Sequence, residues 1–175
     1  MARPIKFKIL NGIIRKSHRK TVLTPYTQSK TFGLVLHQPV KKEVQVHIDE
    51  LIGKLRNDGK AVEEISFYSP KKPVIEQGNG NQFQSKIFDK KDFSLFGFPS
   101  SKELKKAVLE DYDYLILCDP KADIRTASFA TLSKSKCVVG PSRVDKFMHM
   151  DFVIEADTCD KNYFTSIYNT LNQFR

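Results

Sequence analysis

The chain has 175 residues, 40% of them apolar, with 29 Lys and Arg against 20 Asp and Glu and a formal net charge of +9. That length suits one domain with a real core, and no apolar run approaches the roughly 20 residues of a membrane span. Lys6, Lys8 and Asn11 interrupt the N-terminal stretch that a secretory leader would need to be apolar, so a cytoplasmic location is expected.

The charge is uneven along the chain. Ten basic residues precede the first acid, Glu43, leaving 19 basic residues against 20 acidic ones from there on. A near-neutral body therefore carries a basic arm, with residues 1–29 as the arm and 30–175 as the domain. From Ile5 to about Arg19 the apolar residues Ile5, Phe7, Ile9, Leu10, Ile13 and Ile14 recur at three- and four-residue steps, which predicts a helix that Gly12 weakens. Arg3, Lys6, Lys8, Arg15, Lys16, Arg19 and Lys20 are the candidate RNA-contacting residues. Lysine and arginine unmixed with acids make the electrostatic footprint of phosphate-backbone binding. The plain alternative is a helix that packs its apolar arc on the body and leaves a solvated charged face. An anionic membrane surface would attract the same arm. Phe7 and Tyr26 are its only aromatics, which argues against base stacking on single strands.

The body starts after Thr24-Pro25. Thr31 to Leu36 predicts a first strand with His37-Gln38-Pro39 as the loop at its carboxyl end, and Lys41 to Asn57 a helix stopped by Asp58-Gly59. Val62 to Tyr68 predicts the next strand. Lys71 to Ser85, with its GNGN turn, reads as a polar loop, and Gln84 to Phe88 as a short strand. Phe93, Phe96 and Phe98 are expected to pack over the sheet edge. Ser100 or Ser101 caps a helix running to Asp111.

Tyr112 to Gly140 is the most telling stretch. Tyr114 to Cys118 has the continuous apolar pattern of a strand buried on both faces, ended by Asp119-Pro120. Asp123 can cap a helix carrying Ala127, Phe129, Ala130 and Leu132, and Cys137 to Val139 is a second buried strand closed by Gly140-Pro141. Pro141 to Met150 reads as a loop, Phe152 to Glu155 as a last strand, and Asp160 as the cap of an aromatic terminal helix. Strands alternating with helices predict a three-layer, Rossmann-like α/β domain with a mostly parallel sheet.

In such a sheet ligands bind outside the carboxyl ends of the strands, where the strand order reverses. If the first strand neighbours Tyr114 to Cys118, the crevice lies between His37 and Asp119, with Arg125, Thr126 and Ser128 in the first turns of the following helix. A small-ligand binder or an enzyme could use it. No GxGxxG, GxxxxGK[ST], HExxH or GxSxG occurs, so no cofactor or metal is indicated. Asp119 reads first as a strand-end turn residue and only second as a base. Cys118, Cys137 and Cys159 are widely spaced and read as reduced thiols.

The stretches TQSKTFGLVL, KAVEEISFYSP, FGFP, DYDYLILCDP, ATLSKSKCVVGP and FMHMDFVIEA together resemble an uncharacterised family of small Bacteroidota α/β proteins known only as a domain of unknown function. The resemblance covers about residues 27 to 174, and its most specific part is LSKSKCVVG followed by the strand from Asp151 to Ile154. The central unit is also distantly similar to the N-terminal half of lipopolysaccharide heptosyltransferases. Those are two-domain enzymes whose sugar-nucleotide site needs a second half with no counterpart here, so the resemblance implies a Rossmann-like shape rather than transfer chemistry. The reading that results is a non-catalytic, RNA- or ribosome-associated protein whose body adds contacts to a protein partner. Its rivals are a ligand-binding or glycosyltransferase-like protein using the crevice, and a peripheral membrane adaptor.

Overall fold

The computed structural model describes residues 21–68, 85–118, 123–142, 150–155 and 161–174. The predicted N-terminal helix, the seven basic residues of the arm, most of the Lys71 to Ser85 loop, Asp119-Pro120, the body of the Pro141 to Met150 loop, Cys159 and the Asp160 cap lie outside these residues.

Six strands form one sheet: β1 (Thr31–Gln38), β2 (Ala61–Tyr68), β3 (Ser85–Phe88), β4 (Tyr114–Leu117), β5 (Cys137–Pro141) and β6 (Phe152–Ile154). Their spatial order is β3-β2-β1-β4-β5-β6, and every neighbouring pair is parallel. Four described helices cover it: α1 (Lys42–Asn57), α2 (Lys102–Val108), α3 (Ile124–Leu132) and α4 (Lys161–Gln173). The protein is thus α/β and Rossmann-like. The order reverses between β1 and β4, because the chain first builds outward through β2 and β3 and then returns to the other side of β1.

Both faces of the central strands are apolar because both are covered. On one face Val35, Ile65, Phe67, Leu115, Leu117 and Val138 meet Leu104, Ala107 and Val108 of α2 and Ala127, Phe129 and Ala130 of α3. On the other, Phe32, Leu34, Leu36, Tyr114, Ile116 and Val139 meet Ile48, Leu51, Ile52 and Leu55 of α1 and Tyr163, Phe164, Ile167 and Leu171 of α4. The helix ends follow local chemistry. Ser101 accepts from the Leu104 amide to start α2, and Asp123 accepts from the amides of Arg125 and Thr126 to start α3.

Several boundaries differ from expectation. His37 and Gln38 belong to β1, not to a loop, because β2 runs in register as far as Tyr68 and pairs with both. α2 stops at Val108 rather than Asp111, and Leu109 is its C-cap. Phe93 is buried and Phe98 packs against the core as expected, but Phe96 is 49% exposed. The cause is Gly97, whose φ of 83° closes a turn with Ser94 and leaves residues 95 and 96 at its tip. A side chain at Gly97 would also collide with Ile124, 2.6 Å from the position of a Cβ.

Residues 21–29 form a strap across the amino-terminal ends of the strands. The Val22 amide donates to the Lys136 carbonyl at 3.0 Å, the Tyr26 amide to Phe174 at 2.6 Å, and the Tyr114 hydroxyl to the Thr24 carbonyl. Tyr26 is buried, its hydroxyl donates to Asp58 at 2.5 Å, and Lys60 lies over its ring. Asp58 also accepts from Tyr168, so one carboxylate ties the strap to α1 and α4 and is itself held below its ordinary range, chiefly by Tyr26.

Candidate functional site

The crevice at the carboxyl ends of β1 and β4 brings His37 and Arg125 together. An Arg125 guanidinium nitrogen lies 2.8 Å from His37 Nε2, a distance at which the guanidinium donates and the ring nitrogen accepts. Asp123 stands between them. Its Oδ2 accepts from Arg125 Nε at 2.6 Å and is 3.6 Å from His37 Nε2, and its Oδ1 accepts from the amides of Arg125 at 2.9 Å and Thr126 at 3.0 Å. Burial alone would raise the Asp123 carboxyl. The Thr126 amide and the Arg125 guanidinium outweigh it and hold the group well below the usual carboxylate range. Arg125 further reaches the Tyr68 carbonyl at 3.4 Å and lies over the Phe93 ring.

The other residues assigned to this crevice are placed differently. Thr126 and Ser128 are fully buried, and the Ser128 hydroxyl donates to the carbonyls of Gly97 at 2.5 Å and Arg125 at 3.0 Å. Neither is open to a ligand: Ser128 faces the turn at Gly97, the Thr126 hydroxyl lies 3.5 Å from Asp123 Oδ1, and the α3 residues from Thr126 to Ala130 are all buried. Asp119 lies outside the described residues. Asp123 caps the helix end that would otherwise offer free amides to an anion, and it neutralises the one guanidinium there. The groups of this crevice satisfy one another.

A second polar cluster sits at the opposite, amino-terminal edge and was not foreseen from the sequence. Lys86 donates to Glu63 at 2.8 Å and to Glu110, and the Tyr112 hydroxyl donates to the same two carboxylates. They border a cavity of about 610 Å³ that Thr31, Phe32, Ala61, Val62, Ser85 and Asp111 complete. Burial first, then Glu110 and Glu63, push the Tyr112 hydroxyl far above its ordinary value. Burial lowers Lys86, but the two carboxylates raise it further, and Glu110 is held low by Lys86 and Tyr112 against its own burial. Lys86 and Glu110 are thus held charged and the Tyr112 phenol held neutral, which suits a structural brace and not proton transfer. One signal could have pointed here: strand alternation puts Glu63 on the same face as Ile65 and Phe67, an odd place for a charge.

Among the described residues no group of three or more His, Cys, Asp or Glu side chains could hold a metal ion, and no helix is long and apolar enough to cross a membrane. The family of unknown function DUF6913 has a sequence model that matches residues 5–169, nearly the whole chain. The chain belongs to this family. No curated protein and no solved structure matches it significantly. The DUF6913 match spans both the basic segment from Ile5 and the α/β body, so the two are parts of one family unit.

Proposed function

We propose that this DUF6913 protein is a non-catalytic, cytoplasmic RNA- or ribosome-associated protein, with Arg3, Lys6, Lys8, Arg15, Lys16, Arg19 and Lys20 contacting phosphates. One observation carries the reading: ten basic residues precede the first acid, while the rest of the chain is nearly neutral. The strap supports it, because the hydrogen bonds of Val22, Thr24 and Tyr26 tether the arm to the amino-terminal edge of the sheet. The arm therefore joins the body at the amino-terminal edge of the sheet. The crevice adds further support, since Asp123, Arg125 and His37 are engaged with each other. The distant likeness to the first half of lipopolysaccharide heptosyltransferases, and the Bacteroidota affinity of the family, belong to this reading as matters of shape and origin.

The test is sedimentation of the tagged full-length protein from lysate through a sucrose gradient at low and high salt, beside a variant lacking residues 1–20. The reading expects the intact chain in RNA-containing fractions at low salt, released by salt and by loss of the arm. A chain that stays at the top of the gradient under both conditions overturns it.

A further inference from the structure

We propose that the cavity at the amino-terminal edge of the sheet binds a short aliphatic diamine, its ammonium groups meeting Glu63, Glu110 and Asp111 and its methylene stem lying on Phe32 and Val62. The space follows from the strand register. β3 first pairs with β2 at Glu64, opposite Ser85, so among the described residues Ala61, Val62 and Glu63 have no strand beside them on that side. On the other side β1 runs in register from Thr31, opposite Ala61. α2 ends at Val108, and Glu110, Asp111 and Tyr112 border the space as the chain returns toward β4. Gly33 lets the Tyr112 ring lie against β1, since a Cβ there would stand 3.3 Å from two of its carbons. What remains is the cavity of about 610 Å³, a size usual for small-molecule sites.

The charge of the lining names the class of occupant. It holds three carboxylates, Glu63, Glu110 and Asp111, against one ammonium, Lys86, which leaves two negative charges unbalanced. The cations next to it are spent or stand apart. Lys136 donates to Asp113 at 2.7 Å, Lys60 donates to the carbonyls of Tyr26 and Ser29, and Lys105 and Lys106 of α2 are exposed and outside the lining. Hydrogen bonding is equally one-sided. Lys86 and Tyr112 direct their contacts at two oxygens, Glu63 Oε2 and Glu110 Oε2. Glu63 Oε1, Glu110 Oε1 and both carboxylate oxygens of Asp111 have no donor among the described residues. A surplus of acceptors calls for a ligand that donates.

The kind of cation follows from the same geometry. Among the described residues no group of three or more His, Cys, Asp or Glu side chains could hold a metal ion, so these three acids do not form a metal site. A guanidinium gains little, because its planar fork suits both oxygens of one carboxylate and Glu63 and Glu110 each have one oxygen spent. An ammonium carries three donors around a point and can bridge single oxygens of different carboxylates. Two ammonium groups balance the two unmatched charges, and the apolar wall of Phe32, Ala61 and Val62 takes the methylenes between them. The inference goes beyond the RNA reading and does not rest on it, for no arm residue lines the cavity.

Titration of the isotope-labelled full-length protein with 1,4-diaminobutane, followed by NMR, tests the proposal. The amides of Val62, Glu63, Ser85 and Asp111 are expected to shift together with a Kd on the order of 1 mM, fitting for so small a ligand, and the response to weaken as salt rises. 1,4-Butanediol, the same stem without the charges, is expected to leave them unmoved. The Asp111 carboxylate makes no hydrogen bond or ion pair among the described residues, so Asp111→Asn should keep the Tm while weakening binding about threefold. The arm lysines offer the same ammonium group, so the full-length chain with Lys6, Lys8, Lys16 and Lys20 changed to glutamine is titrated beside it. An unchanged Kd there supports a free diamine; a severalfold tighter one means that the chain's own lysines compete for the cavity, and overturns it. The proposal is also overturned if these amides stay still up to about 20 mM diamine, if butanediol moves them equally, or if Asp111→Asn binds as the natural chain does.

Discussion

Asp113 closes the amino-terminal end of the sheet, and replacing it with asparagine should reveal how much that closure is worth. Its Oδ2 accepts from the amides of Lys30 at 2.6 Å and Thr31 at 3.0 Å, and its Oδ1 from Lys136 Nζ at 2.7 Å. The side chain is 8% exposed, whereas Lys136 is 37% exposed. Asparagine keeps the shape and one acceptor oxygen but loses the charge. Two charge-assisted bonds reduced to neutral ones lose about 1 kcal/mol each, and the half-exposed Lys136 pair adds at most about 1 kcal/mol, so Asp113→Asn should cost roughly 2–3 kcal/mol. For a domain of this size that lowers Tm by roughly 4–12 °C. The pH dependence follows from the direction of the shift. Burial would raise the Asp113 carboxyl, but Lys136 and the amides of Lys30 and Thr31 hold it below its ordinary value. Its contribution is then complete above the unfolded value near 4 and is lost as pH falls through the lower folded one. Thermal melts of the two proteins between pH 7 and pH 3 should therefore converge at the acid end. A gap at pH 7 worth less than about 0.5 kcal/mol, or one that does not narrow toward pH 3, would refute the reasoning.

Gly97→Ala should cost about 1–3 kcal/mol in urea unfolding, because the residue sits at φ 83° and its new Cβ would meet Ile124; an unchanged midpoint would mean that the turn is not fixed as described. Arg125→Ala should lower Tm by a few degrees, since it leaves half-buried Asp123 and His37 without their shared donor, and should leave RNA association unchanged. If the variant instead loses association at an unaltered Tm, the crevice and not the arm is the site.

Much of the fold was legible because its signals are local. Continuous apolar runs such as Tyr114 to Leu117 mark strands covered on both faces, and the capping chemistry of Ser101 and Asp123 fixes where two helices begin. Strand–helix alternation indicated a parallel sheet but not its order; the pairing of β1 with β4, on which the crevice was conditioned, is seen in the sheet itself. What was missed depends on partners remote in sequence. His37 and Gln38 are strand residues only because β2 lies alongside, and Thr126 and Ser128 are buried only because α3 is packed on nearly every side. Phe96 has the composition of a core residue, and the one-residue geometry of Gly97 puts it in solvent. The Glu63, Lys86, Glu110 and Tyr112 cluster joins β2, β3 and the segment leading into β4, a juxtaposition that no spacing rule predicts. The candidate crevice fared in between: its location was readable from the topology rule given the pairing of β1 with β4, and its internal neutralisation by Asp123 required the side chains.

The central claim is that the seven arm residues grip phosphates. It is tested most directly by the salt dependence of affinity for an unstructured single-stranded RNA, measured by fluorescence anisotropy. At about 0.7 counterions released per contacted phosphate, seven contacts predict a slope of about −5 for log K against log salt, and a loss on the order of 10³ in affinity between ~50 and ~200 mM salt. With Arg3, Lys6, Lys8, Arg15, Lys16, Arg19 and Lys20 all changed to glutamine, the slope should fall close to zero. An equal slope in both proteins, or no binding by the natural chain at ~50 mM salt, would contradict the account.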